Sequence, residues 1–310
     1  MQTLKSSITG LDLKEAYEYA ALYLEEHIDE LNAMNVFPVP DGDTGINMYL
    51  TMKSAVEAMH KTTTFTATAI SSTAARGALL GARGNSGVIL SQILKGIANG
   101  LEGKSTFNLN DFTSALSIAK EQAYKTVTNP VEGTILTVIR EVSEAALKAN
   151  KRQKDFTRTI MSLVVQAKKT VKKTPELLPV LKEAGVVDSG AKGLYYVFEG
   201  MKDAICGKNS ETETQEPSSE IVNTTDREHG YGFDLQFMIQ GAALPLNEIR
   251  DRVIESGTSP LVVGDETLIR VHVHTFTPDD VLKYARSKGE VVDLVIENLD
   301  QQVLEKNQKK

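Results

Sequence analysis

The chain has 310 residues, of which 41% are hydrophobic, and a formal net charge of −7. This composition allows two domains with buried cores and argues against nucleic acid as a partner, while the single cysteine, Cys206, excludes an internal disulfide framework. No apolar run approaches the roughly 20 residues of a membrane-spanning helix, and residues 1–10 lack the apolar region of a signal peptide, so we expect a cytoplasmic protein.

Eight helices are predicted in the first two thirds of the chain, at about residues 12–31, 46–60, 68–80, 85–101, 111–127, 133–149, 156–172 and 189–206. Their apolar residues recur at spacings of three and four, the period of a helix that buries one face. Residues 185–187 are an ambiguous strand candidate. Because the connections are short, neighbouring helices should be antiparallel. Residues 1–207 are therefore predicted to form an all-α bundle or barrel of eight helices, which makes the protein mainly α.

The character of the sequence changes after residue 207. Residues 208–226 are polar with almost nothing to bury, which predicts a flexible linker. Beyond them the apolar period becomes two, and the predicted elements are a strand at 233–239, a helix at 246–256, strands at 260–263 and 267–274, a helix at 278–288 and a strand at 291–297. This order is the α+β, ferredoxin-like arrangement, with both helices on one face of the sheet. It assigns residues 227–299 to a second domain and leaves residues 300–310 as a tail expected to fray.

Residues 35–48 form the most unusual stretch, with two prolines, two glycines and two aspartates between predicted helices. The carboxylates of Asp41 and Asp43, two residues apart on a turn, can converge on a hard cation such as Mg²⁺. A calcium-binding EF-hand loop counted from Asp41 fails, because its fifth, sixth and twelfth positions are Gly45, Ile46 and Met52. A plain turn, with Asp43 or Thr44 capping the next helix, stays open as an alternative.

A second glycine-bearing stretch covers residues 76–87, where one predicted helix ends and the next begins. It is not a Walker A loop, and the only similar ending, Gly103-Lys104-Ser105, has Ala98 where that motif needs glycine. Backbone amides of residues 85–87 could bind an anion at the positive end of the following helix. Close helix packing and a helix-ending glycine are the alternative reading.

Two further polar loops, residues 129–134 and 187–193, open the sixth and eighth predicted helices. Either loop could serve only as a helix cap. In an up-and-down bundle, however, the second, fourth, sixth and eighth helices begin at the same end. Four polar, glycine-bearing loops are therefore expected to gather at one rim, which brings carboxylates for a cation close to helix ends that favour phosphates.

Residues 35–48, 81–92, 130–137 and 183–193 resemble the nucleotide-binding loops of the dihydroxyacetone kinase L-domain family, in the branch of the catalytic subunit of bacterial fatty acid kinase. The resemblance implies a closed barrel of eight antiparallel helices with ATP and Mg²⁺ at one rim. It also implies that ATP phosphorylates the carboxylate of a fatty acid presented by a separate fatty-acid-binding protein, giving an acyl phosphate. A fatty acid carboxylate is already anionic at neutral pH, so no general base is required.

On this resemblance, Asp41 and Asp43 are expected to hold Mg²⁺, with Asn35 beside them. Arg83 would neutralise the transferring charge or form a surface salt bridge. The residues expected to bind the cofactor are Asn35, Thr44, Gly45, Asn47, Met48, Gly84, Asn85, Ser86, Gly87, Thr134, Asp188 and Gly190.

The second domain contains a possible zinc site. His272 and His274 alternate with valines, so both imidazoles should face the open side of the sheet if the valines face the helices. Strands one and three are antiparallel neighbours in a ferredoxin-like sheet, which brings Asp234 close to both. Relatives of the resembled family tend to have a cysteine in place of Asp234, and aspartate is a harder ligand. Ordinary surface or interface histidines are the alternative.

Two other functions remain open on the sequence. One is phosphorylation of a small hydroxyketone held by a partner protein, and the other is a nucleotide sensor or scaffold without turnover. The second domain is also expected to support a homodimer. Full-length relatives of the resembled family continue into a third domain like the fatty-acid-binding partner, so we expect this chain to be a fragment or a short form.

Overall fold

A computed structural model describes residues 6–152, 155–207 and 230–308. In the described part before residue 208, the long helices are α1 (Gly10–Glu26), α3 (Thr44–His60), α4 (Ala67–Gly81), α5 (Gly84–Gly100), α6 (Leu109–Thr126), α7 (Ile135–Arg152), α8 (Phe156–Leu177) and α10 (Ser189–Cys206). These are the eight predicted helices, so the mainly helical fold is confirmed. The predicted linker at 208–226 lies outside the described residues.

The first predicted helix, residues 12–31, is divided at His27 into α1 and a short second helix, α2 (Ile28–Ala33). Three other short elements were not predicted from the sequence: the helix α9 (Pro179–Glu183) and the antiparallel strands β1 (Ser7–Thr9) and β2 (Thr106–Asn108). Three-residue strands are too short to show an alternating pattern. Residues 185–187, the ambiguous strand candidate, form no strand; Val186 instead packs in a small apolar cluster with Val36 and Leu181.

The second domain is a four-stranded antiparallel sheet with two helices on one face, as predicted. Its elements are β3 (Phe233–Gln240), α11 (Leu246–Ile254), β4 (Thr258–Gly264), β5 (Leu268–Thr275), α12 (Pro278–Lys288) and β6 (Glu290–Asn298). The strand order is β4-β5-β3-β6, and Asp234 on β3 pairs directly with His274 on β5. Leu235, Phe237 and Val271 face α11 and α12 in the sheet core.

The other face of the sheet is not open, which corrects the expectation from the sequence. It packs on the helical domain, because Leu261 and Val263 of β4 belong to the helical core. Arg270 on β5 is fully buried and donates through Nη1 to the carbonyl of Leu80 at 3.2 Å and to Asp293 at 2.7 Å. The hydrophobic pattern within the sheet domain does not indicate this contact with the helical domain.

The tail also differs from the expectation. Instead of fraying, the chain forms α13 (Leu299–Gln308), which packs against β3 and β6. Asp300 in its first turn accepts hydrogen bonds from the backbone amides of Tyr231 at 2.7 Å and Gly232 at 3.3 Å, which fixes the start of this helix. No helix in the described ranges is long and apolar enough to span a membrane.

Helices α5 and α6 approach closely through small residues. A Cβ placed on Gly96 would overlap the backbone of Ala119, and one on Gly100 would overlap Ala115. Since α5 carries one of the predicted anion-binding loops at its start, this contact fixes the direction in which that loop points.

We predict that Gly96→Ala lowers the free energy of unfolding by about 1–2 kcal/mol. Overpacking a core costs about 1–3 kcal/mol, whereas alanine is the better helix former by about 1 kcal/mol. Urea unfolding followed by circular dichroism measures the change, with Lys95→Ala on the exposed side of the same helix as the control. A stabilised Gly96→Ala variant would contradict the close packing.

Candidate functional site

The loop before α3 is organised by the side chain of Asn35, which is buried. Its Nδ2 donates to the Asp41 carboxylate at 2.7 Å and to the carbonyl of Val39 at 2.8 Å, while its Oδ1 accepts from the Thr44 hydroxyl at 2.6 Å. All these bonds lie within the loop. Asn35 therefore positions Asp41 and Thr44 and has little capacity left to bind a ligand itself.

The capping alternative for Asp43 does not hold. Asp43 occupies the position before α3, but its side chain makes no capping hydrogen bond. That bond comes from α2, where Asn32 Oδ1 accepts from the amides of Gly45 at 2.7 Å and Ile46 at 3.3 Å. The Asp43 carboxylate instead accepts from Asn47 Nδ2 at 2.7 Å. It also shares a hydrogen bond with Asp41. A carboxylate has about four acceptor sites, more than these two bonds use, so it can still bind a cation.

Asp41 and Asp43, called the acidic pair below, stand in an environment that disfavours their charge. Burial raises the pKa of both carboxyls, and the neighbouring Asp43 charge raises the pKa of Asp41 further. The charge of Asp234 in the sheet domain also raises the pKa of both carboxyls, whereas the charge of Lys306 lowers the pKa of Asp41. Two converging carboxylates that repel each other fit a divalent cation with oxygen ligands.

A cavity of about 290 Å³ lies at the helix starts and is called the main cavity. The starts of α3, α5, α7 and α10 all contribute to it, as the alternation of helix directions predicts. Its lining residues are Phe37, Pro38, Thr44, Asn85, Ser86, Ile89, Val127, Thr128, Asn129, Val131, Thr134, Ile135, Leu136, Asp188, Gly190, Ser259, Pro260 and Leu261.

A smaller cavity of about 20 Å³ adjoins the main cavity and contains the acidic pair; it is called the acidic cavity. The two share Phe37, Pro38, Thr44, Asn85 and Ser86 as lining residues. The main cavity is therefore polar and acidic at the end where Thr44, Asn85 and Ser86 stand. The rest of its lining is mostly apolar, which suits a ligand with a charged end and a flat, less polar end.

The start of α5 presents backbone amides at this polar end. The first intrahelical bond of α5 is made by the Gly87 amide to the Arg83 carbonyl at 3.0 Å. The Gly84 amide donates to Gln236 of the sheet domain at 3.0 Å. The amides of Asn85 and Ser86 precede the first intrahelical bond and lie at a positive helix end, which favours an anion.

Asp188 joins two of the helix starts. It is buried, and its carboxylate accepts hydrogen bonds from the amides of Ala191 in α10, at 2.7 Å, and Ile135 in α7. Burial nevertheless raises its pKa to about 7. The two amide bonds favour the charged form, and loss of water favours the neutral form, so the carboxyl changes charge near neutral pH.

The sheet domain places Asp234, His272 and His274, called the sheet cluster, against the acidic cavity. One ligand atom from each lies within 4.8 Å of the others, and all three residues are buried. His272 Nδ1 stands 3.0 Å from Asp234 Oδ1, yet among the described residues neither atom makes an aligned hydrogen bond. Although burial raises the pKa of Asp234, the nearby imidazoles lower it overall. The predicted meeting of these three side chains is thus observed, in a buried position.

Four of the residues expected at the site lie away from both cavities. Met48 is fully buried beside Gly193. Gly45 lies closely against α2, and Gly87 lies closely against Thr51. Arg83 pairs with Asp293 of β6 through two hydrogen bonds, at 2.9 Å and 3.2 Å.

Sequence reasoning missed the contribution of the sheet domain to the main cavity. Ser259, Pro260 and Leu261 of β4 line it, and no motif marked them. It also missed Gln236, which donates to Asp234 at 2.6 Å while accepting from Gly84. The alternation of β3 could have identified Gln236, because it lies on the same face as Asp234.

The tail helix also reaches the site. Lys306 of α13 donates to the carbonyl of Asn35 at 2.6 Å, and its aliphatic stem lies against Gly42. Gly42 has a φ of +81°, a conformation that suits glycine. The loop that carries the acidic pair is therefore held from the sheet domain as well as from Asn35.

We predict that Asp43→Asn stabilises the cation-free protein at pH 7.5 by about 1 kcal/mol, the scale of one shifted ionisation. The substitution removes repulsion within the acidic pair and does not remove a helix cap. Thermal unfolding with a chelator present measures the gain. Asn32→Ala, which removes the actual cap, should cost about 1 kcal/mol; a larger loss in Asp43→Asn than in Asn32→Ala would contradict this assignment.

We predict that Asp188→Asn weakens the pH dependence of stability between about pH 4 and pH 7. The folded-state pKa of about 7 lies above the ordinary value of 3.8. The folded protein therefore binds a proton that the unfolded chain has released, and stability falls as pH rises through this window. Asparagine keeps the cap without this titration, so the fall should shrink by about 2–4 kcal/mol.

Urea unfolding at both ends of that pH window measures the difference. The control is Asp251→Asn, an exposed carboxylate in α11, which should leave the pH profile of the parent unchanged. A profile for Asp188→Asn that coincides with the parent profile would show that Asp188 is charged throughout.

Comparisons with known proteins give the family. The DAK2 domain matches residues 38–203, and the FakA-like middle domain of fatty acid kinase matches residues 230–306. Protein YloV of Bacillus subtilis is 37% identical over 311 residues, which covers 96% of this chain and 56% of that protein. An uncharacterized protein of Staphylococcus saprophyticus is 37% identical over 310 residues with the same coverage. The chain thus spans little more than half the length of these relatives.

Two solved structures are more distant. The dihydroxyacetone kinase of C. freundii in its native form has a TM-score of 0.47 at 16% identity, covering 66% of this chain and 36% of that one. Its complex with AMP-PNP and Mg²⁺ has a TM-score of 0.48 at 17% identity, covering 65% and 35%. The match to residues 38–203 alone exceeds half of the chain. The chain therefore belongs to the DAK2 domain family and carries a FakA-like middle domain.

Proposed function

We propose that the chain is the nucleotide-binding part of an ATP- and Mg²⁺-dependent kinase that phosphorylates a fatty acid carboxylate. The fatty acid would be presented by a separate fatty-acid-binding protein, and the product would be an acyl phosphate. Membership of the DAK2 domain family supports a kinase, and the FakA-like middle domain, a type found in fatty acid kinase, supports this acceptor.

The observation that carries the proposal is the acidic pair at the polar end of the main cavity. Asp41 and Asp43 are not used as helix caps, they repel each other, and they adjoin the amides at the start of α5. Carboxylates for a cation and a positive helix end for phosphates are the two things that a phosphoryl-transfer site needs close together.

In this proposal, Asp41 and Asp43 hold Mg²⁺, which when bound offsets negative charge on the phosphates. The amides of Asn85 and Ser86 bind phosphate oxygens, and Asn35 keeps Asp41 in place. The apolar remainder of the main cavity holds the nucleoside. Arg83 keeps its pairing with Asp293 and stands next to the anion-binding turn.

The proposed acceptor does not have to lose a proton before it reacts. A carboxylate is ionised at neutral pH and attacks as it is, so the site has to position it and to shield charge. A hydroxyketone acceptor would need a general base, which a partner protein would have to bring. Binding without transfer would correspond to a sensor or scaffold.

The sheet cluster is a separate metal proposal. Two imidazoles and one carboxylate form a donor set that Zn²⁺ accepts, and the unaligned ring nitrogens of His272 would gain a partner. Elemental analysis of the purified protein and of His272→Ala decides this; equal zinc content in both would contradict a zinc site.

We predict that Asp41→Asn weakens binding of Mg·ATP by about 10- to 100-fold, because a hydrogen bond or ligand bond to a charged group contributes about 1.5–3 kcal/mol. Isothermal titration calorimetry with and without Mg²⁺ measures this, with Asp251→Asn as the control. An unchanged affinity would remove the metal-ligand role of Asp41.

The acceptor is tested separately by measuring acyl phosphate after mixing the protein with Mg·ATP and a loaded fatty-acid-binding protein. Product that depends on both the lipid and the binding protein supports the proposal. Nucleotide binding with no acyl phosphate formed would reject the fatty acid acceptor and favour one of the other two functions.

A further inference from the structure

One wall of the main cavity comes from the sheet domain. Ser259, Pro260 and Leu261 of β4 line the main cavity beside residues 127–129, which follow α6. Among the described residues that line the acidic cavity, none comes from β4. The β4 wall therefore belongs to the main cavity, in the mostly apolar part where a bound nucleotide would place its nucleoside.

The backbone of this wall has an unusual conformation. Among described residues other than glycine, positive φ occurs at Ser259 and Asp293, with 52° at both. The pairing of β4 with β5 also shifts here, because Thr258 and Leu261 are three residues apart while their partners His274 and His272 are two apart. This extra residue is a β-bulge, a device that redirects side chains and is enriched near active sites.

Both sides of the bulge are anchored. Leu261 is only 3% exposed and belongs to the core of the helical domain. On the other side, Gly257 lies against the carbonyl of His274 so closely that a Cβ would overlap it. Pro260 suits the bulge because it has no amide to leave without a partner. The wall is therefore preformed and does not need a ligand to build it.

We infer that the bulge at Ser259 and Pro260 is the nucleobase wall of the nucleotide site, an inference that rests on the proposed function. The helical rim binds the phosphates and the cation, and the sheet domain contacts the base. Pro260 and Leu261 offer apolar surface for the flat face of a base, and the Ser259 hydroxyl is a donor and acceptor for its polar edge.

The test uses the full chain and two ligands, Mg·ATP and Mg·tripolyphosphate, which has the phosphates without a nucleoside. Ser259→Asn keeps a residue that tolerates positive φ and adds volume to the wall. We expect Mg·ATP affinity to fall at least tenfold by calorimetry, with tripolyphosphate affinity unchanged. Thr258→Asn is the matched control on the same strand, where the side chain is exposed, and should leave both affinities unchanged.

Each outcome has a definite meaning. Unchanged Mg·ATP affinity in Ser259→Asn, while the parent binds Mg·ATP, overturns the nucleobase wall and leaves the proposed function standing. Equal loss of both ligands also overturns it, because the effect would then not be specific to the base. A parent protein that binds tripolyphosphate but not ATP rejects both the wall and the proposed function.

If Ser259→Asn lowers the thermal unfolding midpoint, a second variant tests the nucleobase wall. Ser259→Gly retains the backbone conformation at no steric cost and removes the hydroxyl. The ratio of ATP to GTP affinity should change more than threefold, with tripolyphosphate binding and the unfolding midpoint not reduced. An unchanged ratio would contradict contact between Ser259 and the base.

Discussion

The polar face of the sheet can stay buried only while it is docked on the helical rim. Gln236, Arg270 and His272 are each at most 2% exposed. Burying such groups costs several kcal/mol unless they find partners. The amide of Gly84 and the carbonyl of Leu80 provide two of these partners from the helical domain. This contact surface therefore gives two of the buried side chains a hydrogen-bond partner and places the polar face of the sheet beside the acidic pair.

Helix chemistry explains why polar groups are concentrated at the rim. Four helices begin at one end, so their unpaired amides and polar caps are concentrated there. Asn32 caps α3, so the Asp43 carboxylate is not needed as a helix cap and bonds to Asn47 instead. A pair of repelling, partly buried carboxylates lowers the stability of the folded state when no cation is bound. Such local conflict, kept at one place in an otherwise consistent fold, is typical of functional sites.

The sequence was sufficient for whatever depends on short-range pattern. Helical periodicity located the eight long helices, and strand alternation placed Asp234 beside His274. The sequence was insufficient where a contact with a second element of the fold determines the structure. The Asn32 cap spans 13 residues, and the cover over the sheet's polar face brings together segments far apart in the chain. The bulge at Ser259 could not be predicted from the sequence either, because the residue with positive φ is not a glycine.

The same bulge bears on how the protein can change over time. Edge strands usually tolerate substitution and single-residue insertion or deletion better than central strands do. In β4 the extra residue sets which side chains face the helical domain, because losing one residue from a strand moves its neighbours to the opposite face. Leu261 would then leave the helical core. The length of β4 is thus constrained by a domain to which it does not belong.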